Sequence, residues 1–138
     1  MLAATHRLRT GADFTHTVRS GVRQGRRNVV LYAAASDGRP SRFGFIVSKA
    51  VGNAVTRNLV KRRLREAAAS TVRRHPRGVD VVVRALPASA DATWADLCRD
   101  YESALGGALK RLRPAAAADE KTARTPWAQE RTDDGDGR

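Results

Sequence analysis

Between Lys49 and Arg74 apolar and charged residues alternate at a helical period. At about 100° per residue counted from Val55, the positions Val60, Leu64, Ala67 and Thr71 fall within an arc about 60° wide, while Asn58, Lys61, Arg62 and Arg65 gather on nearly the opposite side. The pattern predicts a long helix with one face on a core and the other outward. Asn53, after Gly52, is a strong N-cap because its side-chain oxygen can accept an otherwise unpaired backbone N–H. Pro76 disfavours the helical region for His75 and predicts the end of the helix there.

The remaining elements follow from shorter patterns. Residues 1–10 hold His6, Arg7 and Arg9 around Leu8 and read as an ordered arm. From Thr10 to Ser20 a capping Thr, then Phe14, Thr17 and Val18 at i, i+3 and i+4, then Gly21, predict a short amphipathic helix. Phe14 is either a core residue of that helix or an apolar wall facing a bound strand. Residues 22–36 read as one extended stretch. Val29, Leu31 and Ala33 alternate against Val30, Tyr32 and Ala34, and apolar residues on both sides predict a central strand. Asp37-Gly38 and Pro40 predict a hairpin turn into a second, antiparallel strand over 42–48. Residues 79–86, VDVVVRAL, predict another strand. A strand, helix, strand succession predicts parallel pairing of 42–48 with 79–85, through a crossover that is right-handed by the general rule. Thr93 or Asp91 can cap a last helix, residues 93–112, with Trp94, Leu97, Tyr101 and Leu105 as its core stripe and Gly106-Gly107 weakening its end. Beyond Pro114 apolar periodicity is lost, and residues 115–138 are expected to be disordered. One domain, residues 1–114, precedes that tail.

Charge decides which partner the outward helix face needs. The stretch from Lys49 to Arg74 has eight Lys and Arg residues against a single acid, Glu66. A solubilising face would carry Glu partners at i,i+4, and this one does not. The chain of 138 residues has a formal net charge of +12. Its tail holds six acids and four bases, so the predicted domain is more basic than the chain. Such a balance points to nucleic acid or an anionic membrane. Arginines outnumber lysines 22 to 4, and the planar guanidinium, which forks onto phosphate and stacks on bases, favours nucleic acid. No apolar run approaches the ~20 residues of a membrane span, and the N-terminus lacks the apolar core of a signal peptide. A cytoplasmic location without membrane contact is expected.

The residues do not compose a catalytic constellation. His6, His16 and His75 stand on different predicted elements, and the carboxylates are scattered, with no cluster able to hold two magnesium ions in the basic region. Cys98 cannot form an internal disulfide and reads as a small buried hydrophobe. Gly52-Asn53-Ala54 before a helix resembles a phosphate cradle, but the Gly-x4-Gly-Lys-Ser/Thr pattern is absent. An RNA or DNA binder remains. The exposed helix face is mostly Arg and Lys, suited to phosphates more than to base edges, and Tyr32 and the phenylalanines could stack the bases of a single strand.

Ser48-Lys49, Val51-Gly52-Asn53-Ala54-Val55, Arg57-Asn58, Lys61-Arg62 and Leu64-Arg65-Glu66 together resemble the arginine-rich signature of the bacterial ribonuclease P protein component. His6-Arg7-Leu8, Asp13-Phe14, Val30-Leu31-Tyr32 and Asp80-Val81-Val82-Val83 fall in the same family order, so the resemblance covers about residues 6–112. It implies an α+β fold: a single α/β sandwich in the order α-β-β-β-α-β-α, with a four-stranded mixed sheet and a left-handed crossover around the basic helix. It also implies a monomeric, non-catalytic protein subunit that binds the catalytic ribonuclease P RNA. That RNA uses magnesium ions to remove the 5′ leader of precursor tRNA. By position, Arg57, Asn58, Lys61, Arg62 and Arg65 would face the RNA, Lys49 would lie at the edge of a leader cleft, and Phe14, Val18 and Tyr32 would line it. No protein residue would be catalytic or bind metal. The sequence departs from the family pattern at Leu59 and Ala50, where a base is usual, and at Val18, often aromatic. The alternative sharing the basic face is a ribosomal-type general RNA-binding module.

Overall fold

The computed structural model describes residues 2–122. Helix α1 spans Gly11–Ser20. Strands β1 (Val22–Gly25), β2 (Val29–Pro40) and β3 (Arg42–Ile46) precede the long helix α2 (Ala54–Arg74), and β4 (Arg77–Ala85) and α3 (Trp94–Thr122) follow it. The four strands form one mixed sheet in the order β1-β2-β4-β3, with β3 and β4 parallel and the other pairs antiparallel. The element order is the expected α-β-β-β-α-β-α, and the helix starts are those the sequence encodes. Thr10 Oγ1 accepts from Asp13 N at 3.1 Å, Asn53 Oδ1 accepts from Thr56 N at 2.9 Å, and Thr93 Oγ1, not Asp91, accepts from Asp96 N at 3.0 Å.

The sheet is covered on both faces. Val29, Leu31 and Ala33 of β2, Val79, Val81, Val83 and Ala85 of β4 and Phe43 of β3 pack with Val60, Leu64, Ala67 and Ala68 of α2 and with Leu97, Tyr101, Ala104, Leu105 and Ala108 of α3. The alternate residues Val30, Tyr32, Ala34 and Val82 turn to the other face, beside α1, whose Thr17 is fully buried. On the first face the Tyr101 hydroxyl and Thr71 Oγ1 share a buried hydrogen bond of 2.7 Å. Burial pushes the Tyr101 phenol well above its ordinary pKa, against a smaller opposing effect of the Thr71 bond.

Four expectations are corrected. Residues 37–38 do not close a hairpin between β2 and the next strand. Asp37 and Gly38 take positive φ, 51° and 80°, but they form a bulge after which β2 rejoins β4 at Pro40↔Arg77. The following strand, β3, lies beyond β4, because β4 is buried on both faces from Val79 to Val83 and takes the position that offers backbone partners on both edges. Second, residues 22–36 are two strands. The polar Arg26-Arg27-Asn28 forms a tight turn closed by Arg26 N donating to Val29 O at 2.8 Å. Third, Trp94 stands apart from the buried stripe of α3 and is 42% exposed, since it occupies the first residue of the helix, before the turn that meets the core. Fourth, α3 passes through Gly106-Gly107 and continues to Thr122. Gly107 sits against β1, where a Cβ would stand 2.7 Å from Gln24 Oε1, so it is a point of close helix–strand approach. Residues 123–138 of the expected disordered tail lie outside the described residues.

Tyr101→Phe removes one partner of a buried hydrogen bond and should lower the unfolding free energy by about 1–3 kcal/mol in urea at neutral pH. Above about pH 10 the unfolded chain releases the phenolic proton that the native state keeps. The native phenol's contribution is therefore lost as pH rises, and the gap between wild type and variant should narrow between neutral pH and about pH 11.

Candidate RNA interface

Asn53 caps the start of α2, and burial of one apolar stripe fixes the helix rotation, which sets its cations in different surroundings. Val60, Leu64, Ala67, Ala68 and Thr71 are buried. Arg63 lies beside that stripe and donates from Nη1 to Ala92 O at 3.2 Å. Arg74 grips both carboxylate oxygens of Glu102 on α3, at 3.0 and 3.1 Å. These two cations fasten the helix to the rest of the fold. Asn58, Arg62 and Arg65 are exposed and Lys61 is half-buried. Among the described residues none of Arg57, Lys61, Arg62 and Arg65 forms an ion pair. Arg57 is half-buried, with its Nε bonded to Gly52 O at 3.1 Å, so its guanidinium is held beside the helix start. Lys49 is exposed in the turn that leads from β3 to α2, and its carbonyl accepts from Gly52 N at 3.1 Å. The exposed face also carries Val55, 78% exposed, three residues before Asn58 and seven before Arg62.

The second group of expected residues lies on the other face of the sheet. Phe14 and Val18, one turn apart on α1, are half-buried, as is Tyr32 on β2. Phe14 lies directly on the backbone of Gly44: a Cβ at that position would collide with its ring and would stand 3.2 Å from Leu8 Cβ. Strand register aligns Gly44 with Val82 and Val82 with Tyr32, and residues directly opposite share a face. A candidate channel on this face therefore has Phe14 and Val18 as one wall and half-buried Tyr32 on its floor, with Val82 fully buried beneath. The adjoining row on this face is Ile46, Arg84 and Val30, which adds exposed Arg84 to the floor. Alternation along VDVVVRAL already places Arg84 on the face of Val82, so this cation could have been found from the strand pattern. Phe14 is thus packed against the sheet while remaining half-buried.

In the neighbouring row of this face, under the first turn of α1, charges are paired. Arg42 donates from Nε and Nη2 to the two oxygens of Asp80, at 3.2 and 2.9 Å, and from Nη1 to Asp13 on α1 at 3.2 Å. Asp80 is buried. Hydrogen bonding to Asp80, with the charges of Asp80 and Asp13, raises the pKa of the Arg42 guanidinium, against a smaller effect of burial. Both carboxylates thus face an arginine. Among the described residues, no group of three or more His, Cys, Asp or Glu side chains converges. His6 Nδ1 bonds Ser41 O at 2.6 Å, and His16 meets Ser20 Oγ at 3.4 Å. Cys98 is half-buried against the core rather than enclosed, and burial raises its thiol pKa.

The α2 face and the channel are therefore two surfaces on opposite sides of one sheet. They meet where β3 ends at Ile46 and passes through Lys49 into α2. A family model described as Ribonuclease P matches residues 2–109, most of the chain. The chain belongs to the ribonuclease P protein family. It is 64% identical over 128 residues to the ribonuclease P protein component of Pseudarthrobacter chlorophenolicus, covering 91% of this chain and 94% of that one. Against the component of Kocuria rhizophila it is 63% identical over 111 residues, 80% and 98% of the two chains. The ribonuclease P protein of Staphylococcus aureus superposes with a TM-score of 0.66 at 30% identity, over 73% of this chain and 93% of that one. The Thermotoga maritima ribonuclease P protein shares the fold, with a TM-score of 0.63 at 24% identity over 71% of this chain and 93% of that one. Among the described residues no helix is long and apolar enough to cross a membrane.

The contact between Phe14 and Gly44 can be tested by a double-mutant cycle. Gly44→Ala should destabilise the protein by about 1–3 kcal/mol because its methyl group must displace the ring. In a Phe14→Ala background that cost should fall by at least about 0.5 kcal/mol. Additive costs in urea denaturation would mean that the ring does not rest on residue 44.

Proposed function

We propose that the protein is the RNA-binding, non-catalytic subunit of ribonuclease P, docking on the enzyme's RNA through α2 and holding the 5′ leader of precursor tRNA in the channel between α1 and the sheet. The observation that carries this reading is the set Lys61, Arg62 and Arg65. These cations stand on the outward face of a helix in which Arg63 and Arg74 are engaged by the fold itself. Unpaired guanidinium and ammonium groups fixed on a rigid rod are placed to neutralise phosphates and to release their counterions. Arginine adds the fork that can grip a phosphate at two oxygens. Asn58 and exposed Val55 on the same face add a polar and an apolar contact between the charges.

In the channel, Phe14 and Tyr32 offer aromatic surface for unpaired bases and Arg84 offers charge for their backbone, a combination suited to single strands with little sequence choice. Val18 contributes contact but no stacking plane. Among the described residues, the two carboxylates nearest Phe14, Asp13 and Asp80, face Arg42 and are not placed to hold a magnesium ion. In this proposal magnesium is held by the RNA and substrate, and cleavage to give the mature tRNA 5′ end is the work of the RNA subunit. The protein lowers the electrostatic cost of bringing substrate and RNA together.

Adding the protein to the ribonuclease P RNA should therefore lower the magnesium concentration needed to cleave precursor tRNA. An unchanged magnesium requirement and substrate affinity would overturn the role. Bulk tRNA and ribosomal RNA should compete poorly for the protein; equal competition would identify a general RNA-binding module instead. Arg62→Ala and Arg65→Ala should each weaken binding to the catalytic RNA and reduce the slope of log Kd against log salt by about one. A slope that does not change would show that these side chains do not neutralise phosphates.

A further inference from the structure

The row of residues that begins under Phe14 does not stop at Tyr32. Arg23 on β1 is opposite Tyr32, so Gly44, Val82, Tyr32 and Arg23 cross the sheet in line, a distance of about 14 Å at the usual strand spacing. The Arg23 guanidinium then reaches along β1: a Cβ on Gly25 would lie 3.7 and 4.0 Å from its two terminal nitrogens. It thus points to the tip of the β1–β2 turn, where Arg27 is exposed. On the opposite face of the sheet, α3 packs across β2 and β1. Its exposed Arg111 directs Nη1 to Arg23 O at 3.5 Å.

These cations differ from Arg26, which is spent on the fold through contacts to Ser103 Oγ, Ser103 O, Gln24 Oε1 and Gly25 O. Among the described residues no ion pair is formed by Arg23, Arg27 or Arg111. The acid beside the turn, Asp100, is occupied by the backbone and side-chain N–H groups of Asn28, at 3.0 and 2.9 Å. The edge is positive, exposed and continuous with the channel floor. It lies over β1 and α3, across the sheet from β3 and the start of α2.

We propose that this edge is the exit of the channel: Arg23, Arg27 and Arg111 hold the phosphates of the leader nucleotides that lie upstream of those over Phe14 and Tyr32. The assignment rests on the leader reading above and extends it to a second segment of the same unpaired RNA. A strand crossing the floor past Tyr32 meets Arg23 next, and a row of guanidinium groups without acidic partners complements its backbone. Contacts of this kind add affinity with leader length and carry no sequence preference.

The test compares precursor tRNAs with leaders of about 4 and about 16 nucleotides, bracketing the span of single-strand grooves, on the reconstituted holoenzyme. Wild type should bind the longer substrate several-fold more tightly. In an Arg23→Ala, Arg27→Ala, Arg111→Ala variant that advantage should disappear. The salt slope for the long leader should fall by about 2, from roughly 0.7 per lost contact to a single strand. All three side chains are exposed, so an unchanged urea midpoint checks that the fold is intact. The proposal is overturned if wild type gains nothing from the longer leader or if the variant keeps the gain. An equal loss for both leaders also overturns it, and would assign the edge to the catalytic RNA or the tRNA body. The underlying role is judged separately, by whether wild type lowers the magnesium requirement with the short leader.

Discussion

A strand that is buried on both faces has to be covered twice and paired twice, and β4 meets that demand for the whole molecule. From Val79 to Val83 it is buried on both sides, with β2 along one edge and β3 along the other. Removing that much apolar surface from water is the dominant favourable term in such a fold, roughly 25 cal/mol per Å2, and it leaves α1 on one face with α2 and α3 on the other. The separation of the two candidate RNA surfaces follows from this. The channel is the part of the α1 face that one short helix cannot cover, and the cationic helix face is the side of α2 turned away from the opposite core. The surfaces share only the corner where β3 becomes α2.

The helices and their caps were legible because they rest on local chemistry. Thr10, Asn53 and Thr93 accept backbone N–H groups within their own first turns, and the buried stripe of α2 is the arc that a regular 100° step assigns. Strand pairing was less legible. Asp37-Gly38 has the chemistry of a tight turn and does adopt positive φ, yet whether that turn closes a hairpin or a bulge depends on which strand wins the centre. That contest is decided by burial of Val79 to Val83, some forty residues later in the chain. Trp94 shows the complementary failure: spacing aligned it with Leu97 and Tyr101, but the first residue of a helix can share a stripe and still precede the core.

The site was legible in its charges and not in their division of labour. The helical pattern of α2 sets Arg62 outward and Arg63 beside the buried stripe, but it does not say what Arg63 meets. The first faces solvent and the second is tied to Ala92 O, a contact that exists only because the loop before α3 returns to the helix. Likewise Arg26 and Arg27 read alike, while one is bound to Ser103 and the other exposed. The family resemblance supplied what local chemistry could not, the assembly in which a basic, cleft-bearing protein acts.

The clasp of Asp13, Arg42 and Asp80 bears on how the protein behaves between encounters with RNA. It joins α1 to the two strands beneath it through a partly buried arginine, and such groups feel dissolved ions far less than exposed ones do. Ionic strength therefore acts unequally on the molecule, screening the exposed arginines of α2 while leaving α1 held to the sheet. In the role proposed above, the border that α1 gives the leader groove would then stay in place whether or not a strand is held there.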